Sequence, residues 1–207
     1  MRVDMAEHQY EELAMEYEKN RRLYHDMNNH NLVMWKLAEK GEYERLHKYI
    51  GKLRPLEKDR HRQWTQNLIL DMILEYKLLA MEKKKILYEI KTDMIGEIAL
   101  ADKELCILLG NLLDNAIEAC EKLEEEKRMV KIEVRKHHSM FMLIVENSCE
   151  AHAQVRKGIF RTTKKDDRMH GYGIHNVRKT VKNRGGQFQY GSRGENFYVK
   201  ILIPLVI

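Results

Sequence analysis

Residues 1–40 contain neither Pro nor Gly, and their apolar side chains return at alternating steps of three and four. A stretch with that spacing closes as one continuous helix carrying a seam, with Tyr10, Leu13, Tyr17, Tyr24, Met27, Met34 and Ala38 at a and d positions. Asn20 and Asn31 share the seam, and polar seam residues weaken a coiled coil while fixing its register and oligomer state. Gly41 stops this helix. A second is predicted from about Glu42 to Leu53, ended or kinked at Pro55. Two helices bury little apolar surface by themselves, so pairing with a second copy into a four-helix bundle is the natural completion.

The pattern changes near Thr65. Leu68, Ile69, Met72, Ile73, Tyr76 and Leu79 predict an amphipathic helix whose apolar face they form. ILYEI (86–90) reads as a strand and 102–124 as a strong apolar helix. MVKIEVRK and MFMLIVEN alternate with period two and are joined at His137–Ser139. Residues 150–171 are polar and irregular, and a helix follows from about Gly173 to Asn183. Arg184-Gly185-Gly186 turns the chain into two last strands, QFQY and NFYVKILIP. The expected fold class is α+β: a helical hairpin over 1–62, then an α/β sandwich of one layer each over 63–207.

Composition narrows the function classes. Apolar residues make up 43% of the 207, enough for a core, and charged residues 33%. The net charge is +5, but acids and bases alternate, which argues against a nucleic-acid surface. No run of about 18 apolar residues predicts a membrane span, and MRVDMAEHQYEEL lacks the apolar core of a signal peptide. Cys106, Cys120 and Cys149 form no CxxC pair, hence neither a zinc site nor a disulfide framework. They are expected to be small core residues in a reducing cytoplasm. His25 and His30 stand five apart, off the i, i+4 spacing of two metal ligands on one helical face. His137 and His138 fall in a turn.

Two segments carry chemistry. In NLLDNAIEA, Asn111, Asn115 and Glu118 are spaced i, i+4, i+7 and share one helical stripe, with Leu and Ile opposite. A carboxamide oxygen is a hard neutral ligand that can complete a magnesium shell of phosphate and water oxygens; the alternative is a solvated helix face. In His170-Gly171-Tyr172-Gly173-Ile174, glycines open a helix, where backbone N–H groups can approach a phosphate; the alternative is an ordinary turn. Their order, with a strand pair and a charged loop between them, is more specific than either alone.

NLLDNAIEA resembles the N-box of the GHKL superfamily, which groups gyrase, heat-shock chaperone, histidine kinase and mismatch-repair ATPases. GYGI resembles its G2 box, and GGQFQYGSRGENFYVKILIP its final strands. The resemblance implies an α/β sandwich with ATP held between the N-box helix and a lid. Asn115 would be the magnesium ligand and Asn111 would line the phosphates. Residues 151–170 would form the lid, with Lys164 and Arg168 as phosphate contacts beside Gly171 and Gly173. The hydrolytic members carry a glutamate where this chain has Asn111, a poor base, which favours ATP as a phosphoryl donor over hydrolysis. Where most members have an adenine-binding aspartate, VENSCE places Asn147, whose amide oxygen can accept from the adenine amine, and Cys149 takes the first glycine place.

That variant resembles one subfamily, the quorum-sensing receptor kinases of the accessory-gene-regulator type. HDMNN (25–29) is similar to their H-box, and TQNLILDMILEYKLLA (65–80) to their interdomain helix in Asn67, Asp71, Leu74 and Lys77. On the seam register Tyr24 and Met27 face the bundle, so His25 and Asn29 point outward, one turn apart. An exposed imidazole is largely neutral at cytoplasmic pH and can attack phosphorus, while Asp26 can hold the ring N–H and stabilise the cation that forms. By resemblance Asn29 would position water for reverse dephosphorylation of the partner. The implied protein is a homodimeric sensor kinase core using ATP and Mg2+, which autophosphorylates His25 and passes the phosphate to a response-regulator aspartate in the cytoplasm. It would meet the membrane only through a sensor segment absent from this chain. The alternatives are a nucleotide-free phosphotransferase or scaffold with a degenerate ATP-binding fold, a GHKL ATPase closing as a dimer, and an inert interaction protein.

Overall fold

A computed structural model describes residues 2–53, 63–149 and 172–205, and of residues 2–14, 16, 17, 20 and 172 the backbone alone. Pro55 lies outside them. The chain divides into two compact units, Met1–Asp59 and Arg60–Ile207.

The first unit is two helices, α1 (Arg2–Glu39) and α2 (Tyr43–Leu53). Gly41 adopts φ 69°, the left-handed conformation that ends a helix, and Glu42 N–H bonds back to Leu37 O at 2.9 Å. Met34, Leu37 and Ala38 of α1 are half-buried, as are Leu46 and Ile50 of α2. A hydrogen bond of 2.8 Å joins His30 Nδ1 to the Tyr49 hydroxyl across the pair. Nearer the N-terminus the seam is open in the single chain: Tyr24 is 70% exposed and Met27 59%.

The second unit opens on a polar knot. Thr65 and Asp71 are buried, and Asp71 Oδ1 accepts from Thr65 N–H (2.9 Å) and Oγ1 (2.8 Å). Asn67 caps α3 (Leu68–Lys83), accepting from Leu70 N–H at 3.1 Å and donating to Gly96 O at 3.1 Å. Beyond lies a five-stranded sheet in the order β1-β2-β3-β5-β4. Its strands are β1 (Leu87–Thr92), β2 (Met129–His137), β3 (Met140–Ser148), β4 (Gln187–Arg193) and β5 (Asn196–Pro204). β1 runs parallel to β2, reached through the crossover helix α4 (Asp102–Cys120), and the other pairings are antiparallel. The period-two pattern places Val130, Ile132 and Val134, Phe141, Leu143 and Val145, and Val199, Ile201 and Ile203 on one buried face. That face carries α3, α4 and α5 (Tyr172–Asn183), giving two layers around one core.

Three details differ from the expectations. The buried face of α3 is Leu70, Asp71, Leu74, Leu78 and Met81, whereas Leu68, Met72 and Tyr76 are exposed. LILDMILEYKLLAMEK is apolar nearly all round, so spacing alone selects no single face. α4 ends at Cys120 rather than near residue 124, because the chain turns into a short 3-10 segment at Glu125–Lys127. Only Cys120 is a core cysteine; Cys149 is half-buried and Cys106 exposed.

α4 and α5 are tied by an ion pair. Arg184 donates from Nε to Glu104 Oε1 (2.8 Å) and from Nη2 to Oε2 (2.5 Å). Glu104 also accepts from Ala101 N–H at 2.9 Å, half of a capping box, since Ala101 has no side-chain acceptor to complete it. The Arg184 guanidinium, outweighing partial burial, holds the Glu104 carboxyl below its ordinary range. Folding therefore lowers this acid's affinity for protons. Its contribution to stability is present above the unfolded value and is lost as pH falls through the folded one. Denaturant unfolding of wild type and Glu104→Gln is expected to show a gap that is widest at neutral pH and closes below about pH 4. A gap independent of pH would refute the pairing.

Candidate functional site

α4 is two-sided. Leu105, Leu108, Leu109, Leu112, Leu113, Ala116 and Ile117 pack into the core, each large side chain contributing about 1.5–3 kcal/mol of burial. The other stripe bears Asn111, Asn115 and Glu118, all half-buried. Asn111 donates from Nδ2 to Ile107 O at 2.7 Å, a bond back along its own helix that fixes its amide. Its Oδ1 then rests against the first turn of α5. A Cβ on Gly173 would lie 2.9 Å from that oxygen, closer than such contacts allow. A larger residue at 173 would have to displace the Asn111 amide, and the structure brings these two sequence-predicted residues together.

Asn115, one turn on, has a buried Nδ2 with no hydrogen-bond partner among the described residues. A buried donor left unmade costs about 1–3 kcal/mol, so the position favours an acceptor from beyond the described residues. The amide is two-ended: its nitrogen donates and its oxygen can ligate a cation. Among the described residues no cluster of His, Cys, Asp and Glu could hold a metal. A cation at Asn115 would therefore draw its remaining oxygens from a bound ligand and water, and the residues present fit magnesium on those terms. Asp114, the nearest carboxylate in sequence, is engaged elsewhere: Lys77 Nζ of α3, its side chain only 12% exposed, sits 2.5 Å from Asp114 Oδ1.

Asn147 is 5% exposed, on the helix-facing side of β3 between Val130 and Phe197. Its Nδ2 donates to Ser148 O at 2.9 Å, and its amide oxygen is the group able to accept. Lys164, Arg168 and Gly171, and the lid expected at 151–170, lie outside the described residues.

In the first unit the His25 side chain is 74% exposed. Its Nδ1 has two neighbours, Asp26 Oδ1 at 3.4 Å and Asn29 Nδ2 at 3.3 Å. They serve opposite tautomers: a protonated Nδ1 donates to Asp26, and a bare one accepts from Asn29. Both contacts fall on Nδ1. Spacing did not show the Lys77–Asp114 and Arg184–Glu104 pairs or the Gly173–Asn111 approach, since each joins residues far apart in the chain. The one available signal was the placement of Lys77 among the interdomain-helix residues.

A family model described as GHKL domain matches residues 100–204. Among solved structures, the catalytic domain of the histidine kinase ThkA, in a nucleotide-free form, is 22% identical. The match covers 67% of this chain and 91% of that one, with a TM-score of 0.54. The Acinetobacter baumannii histidine kinase AdeS is 16% identical over 81% of this chain and 82% of its own, with a TM-score of 0.51. Full-length ShkA in complex with AMPPNP is 17% identical, covering 67% of this chain and 29% of that one, with a TM-score of 0.53. These likenesses establish the fold. No curated protein sequence matches the chain.

An orphaned donor destabilises the ligand-free protein, so Asn115→Leu is expected to raise the urea midpoint by about 1 kcal/mol equivalent at unchanged slope. A lower midpoint would mean that the amide is satisfied and the site assignment wrong.

Proposed function

This chain belongs to the GHKL domain family, and from that premise we propose that it is the core of a histidine kinase that binds Mg-ATP and phosphorylates His25. The phosphoryl group passes next to an aspartate of a response regulator. The carrying observation is the buried amide of Asn115, without a partner among the described residues and one turn from Asn111, which itself meets the start of α5. The shared fold with ThkA and AdeS, and the AMPPNP complex of ShkA, support the reading.

Magnesium, when bound, neutralises and orients the triphosphate. Asn115 would hold it through Oδ1 and would offer its N–H to a phosphate oxygen. Asn111 lines the phosphates; being an amide, it cannot draw a proton from water, which keeps the donor from hydrolysis. Asn147 accepts from the adenine amine. Lys164 and Arg168 meet the phosphates with the N–H groups near Gly171 and Gly173. At His25, contacts to Nδ1 favour attack by Nε2: the N–P bond forms as the P–O bond to ADP breaks. Asp26 holds the Nδ1 proton and stabilises the imidazolium, and Asn29 positions water in the reverse reaction. The open seam at Tyr24 and Met27 supports pairing with a second copy through the hairpin. The regulator docks around His25. The asparagine at 147 supports the accessory-gene-regulator type of quorum-sensing receptor, in which this core would lie in the cytoplasm behind a membrane sensor.

One observation favours a second reading, a nucleotide-free phosphotransferase or scaffold: Asn147 offers adenine a neutral acceptor, weaker than a carboxylate. Incubation with γ-labelled ATP and magnesium separates the two. The kinase reading expects an alkali-stable, acid-labile label that His25→Gln abolishes, and no Mg-ATP binding by a folded Asn115→Ala variant. Label retained in His25→Gln would overturn the phosphoacceptor. A folded wild-type protein that takes no label would favour the scaffold, and phosphate release without a phosphoprotein would mark an ATPase.

A further inference from the structure

Two of the three thiols converge at one end of the sheet. Cys120, the last residue of α4, is fully buried, and its Sγ lies 3.5 Å from Met129 O and 3.7 Å from Ser148 O. Ser148 O belongs to the peptide that begins Cys149, whose Cα stands about 2.8 Å from that oxygen by peptide geometry. The Cys120 sulfur is therefore no more than about 6.5 Å from the Cys149 Cα. Direction agrees with distance. Along β3 the buried, helix-facing positions are Phe141, Leu143, Val145 and Asn147, and continued alternation puts Cys149 on that face. The pairing of β3 with β5 runs on by one residue there, since Cys149 N–H bonds to Glu195 O at 2.8 Å. No disulfide joins the two in this structure.

We propose that Cys120 and Cys149 are a peroxide-oxidisable dithiol whose disulfide ties the end of β3 to the C-terminus of α4. The order of events follows from exposure. Burial pushes the Cys120 thiol up, so it is the poorer first nucleophile, and half-buried Cys149 reacts first. The Cys149 thiolate attacks one oxygen of hydrogen peroxide; the O–O bond breaks, and the other oxygen leaves as water after taking a proton. The resulting sulfenic acid is attacked by the Cys120 sulfur. The S–S bond forms, the S–O bond breaks, and hydroxide leaves as water with the Cys120 proton. Two electrons pass from the thiols to peroxide, and two waters form. To reach this partner the Cys120 sulfur gives up its contacts with Met129 O and Ser148 O. The strand end shifts two residues from Asn147, and on the kinase reading this weakens base binding.

The test uses the full chain in a Cys106→Ser background, which removes the exposed thiol. Hydrogen peroxide is expected to lower the intact mass by two hydrogens, with Cys120 and Cys149 in one linked peptide that dithiothreitol separates. In Cys120→Ser the oxidation is expected to stop at a dimedone-trappable sulfenic acid on Cys149. Over-oxidation of Cys149 beside an unchanged Cys120, or no linked peptide, overturns the proposal. Trinitrophenyl-ATP binding, followed by fluorescence, is expected to weaken at least fivefold on oxidation and recover on reduction. A disulfide with unchanged affinity would refute the effect on base binding. A reduced protein that binds no trinitrophenyl-ATP would refute the kinase reading and leave the disulfide standing.

Discussion

The burial of one stripe of α4 against the sheet sets the geometry of everything else in the second unit. Seven apolar side chains from Leu105 to Ile117 fix the rotation of this helix about its axis. With the rotation fixed, Asn111 and Asn115 have no choice of direction. Two flanking ties hold the helix along its length: Arg184 grips Glu104 at one end, and Lys77 grips Asp114 in the middle. Breaking a buried contact of this stripe would thus move the candidate site without touching it.

The polar groups at both candidate centres are largely carboxamides: Asn111, Asn115 and Asn147 in the sandwich, and Asn29 beside His25. A neutral amide does not repel a triphosphate and is a poor base, two properties that suit phosphoryl transfer and disfavour water activation. The cost is visible in the fold, where the Asn115 donor is buried without a partner among the described residues. Groups that destabilise the empty protein are characteristic of positions kept for binding.

Much of this was legible in the sequence. The alternation in MVKIEVRKH and MFMLIVENS, the Gly41 and Gly185–Gly186 stops, and the i, i+4, i+7 polar stripe of Asn111, Asn115 and Glu118 all depend on local periodicity or backbone freedom. The helix α3 was legible but its buried face was not, because its apolar residues surround the helix and burial on one side is decided by α4 and β1, not by spacing. The exposure of Cys106, the parallel pairing of β1 with β2 and the contact between Gly173 and Asn111 are likewise long-range facts. The sequence motif suggested a phosphate role for Gly173; packing shows an asparagine oxygen of another helix beside it.

The central claim is that the orphan amide of Asn115 waits for a nucleotide and its metal. The most direct measurement is the Asn115 side-chain NH2 signal in 1H–15N spectra, assigned by its loss in Asn115→Ala. The account predicts a large, saturable shift with AMPPNP plus magnesium and little change with magnesium alone. An Asn115 signal unmoved at saturating nucleotide, while signals elsewhere respond, would contradict it.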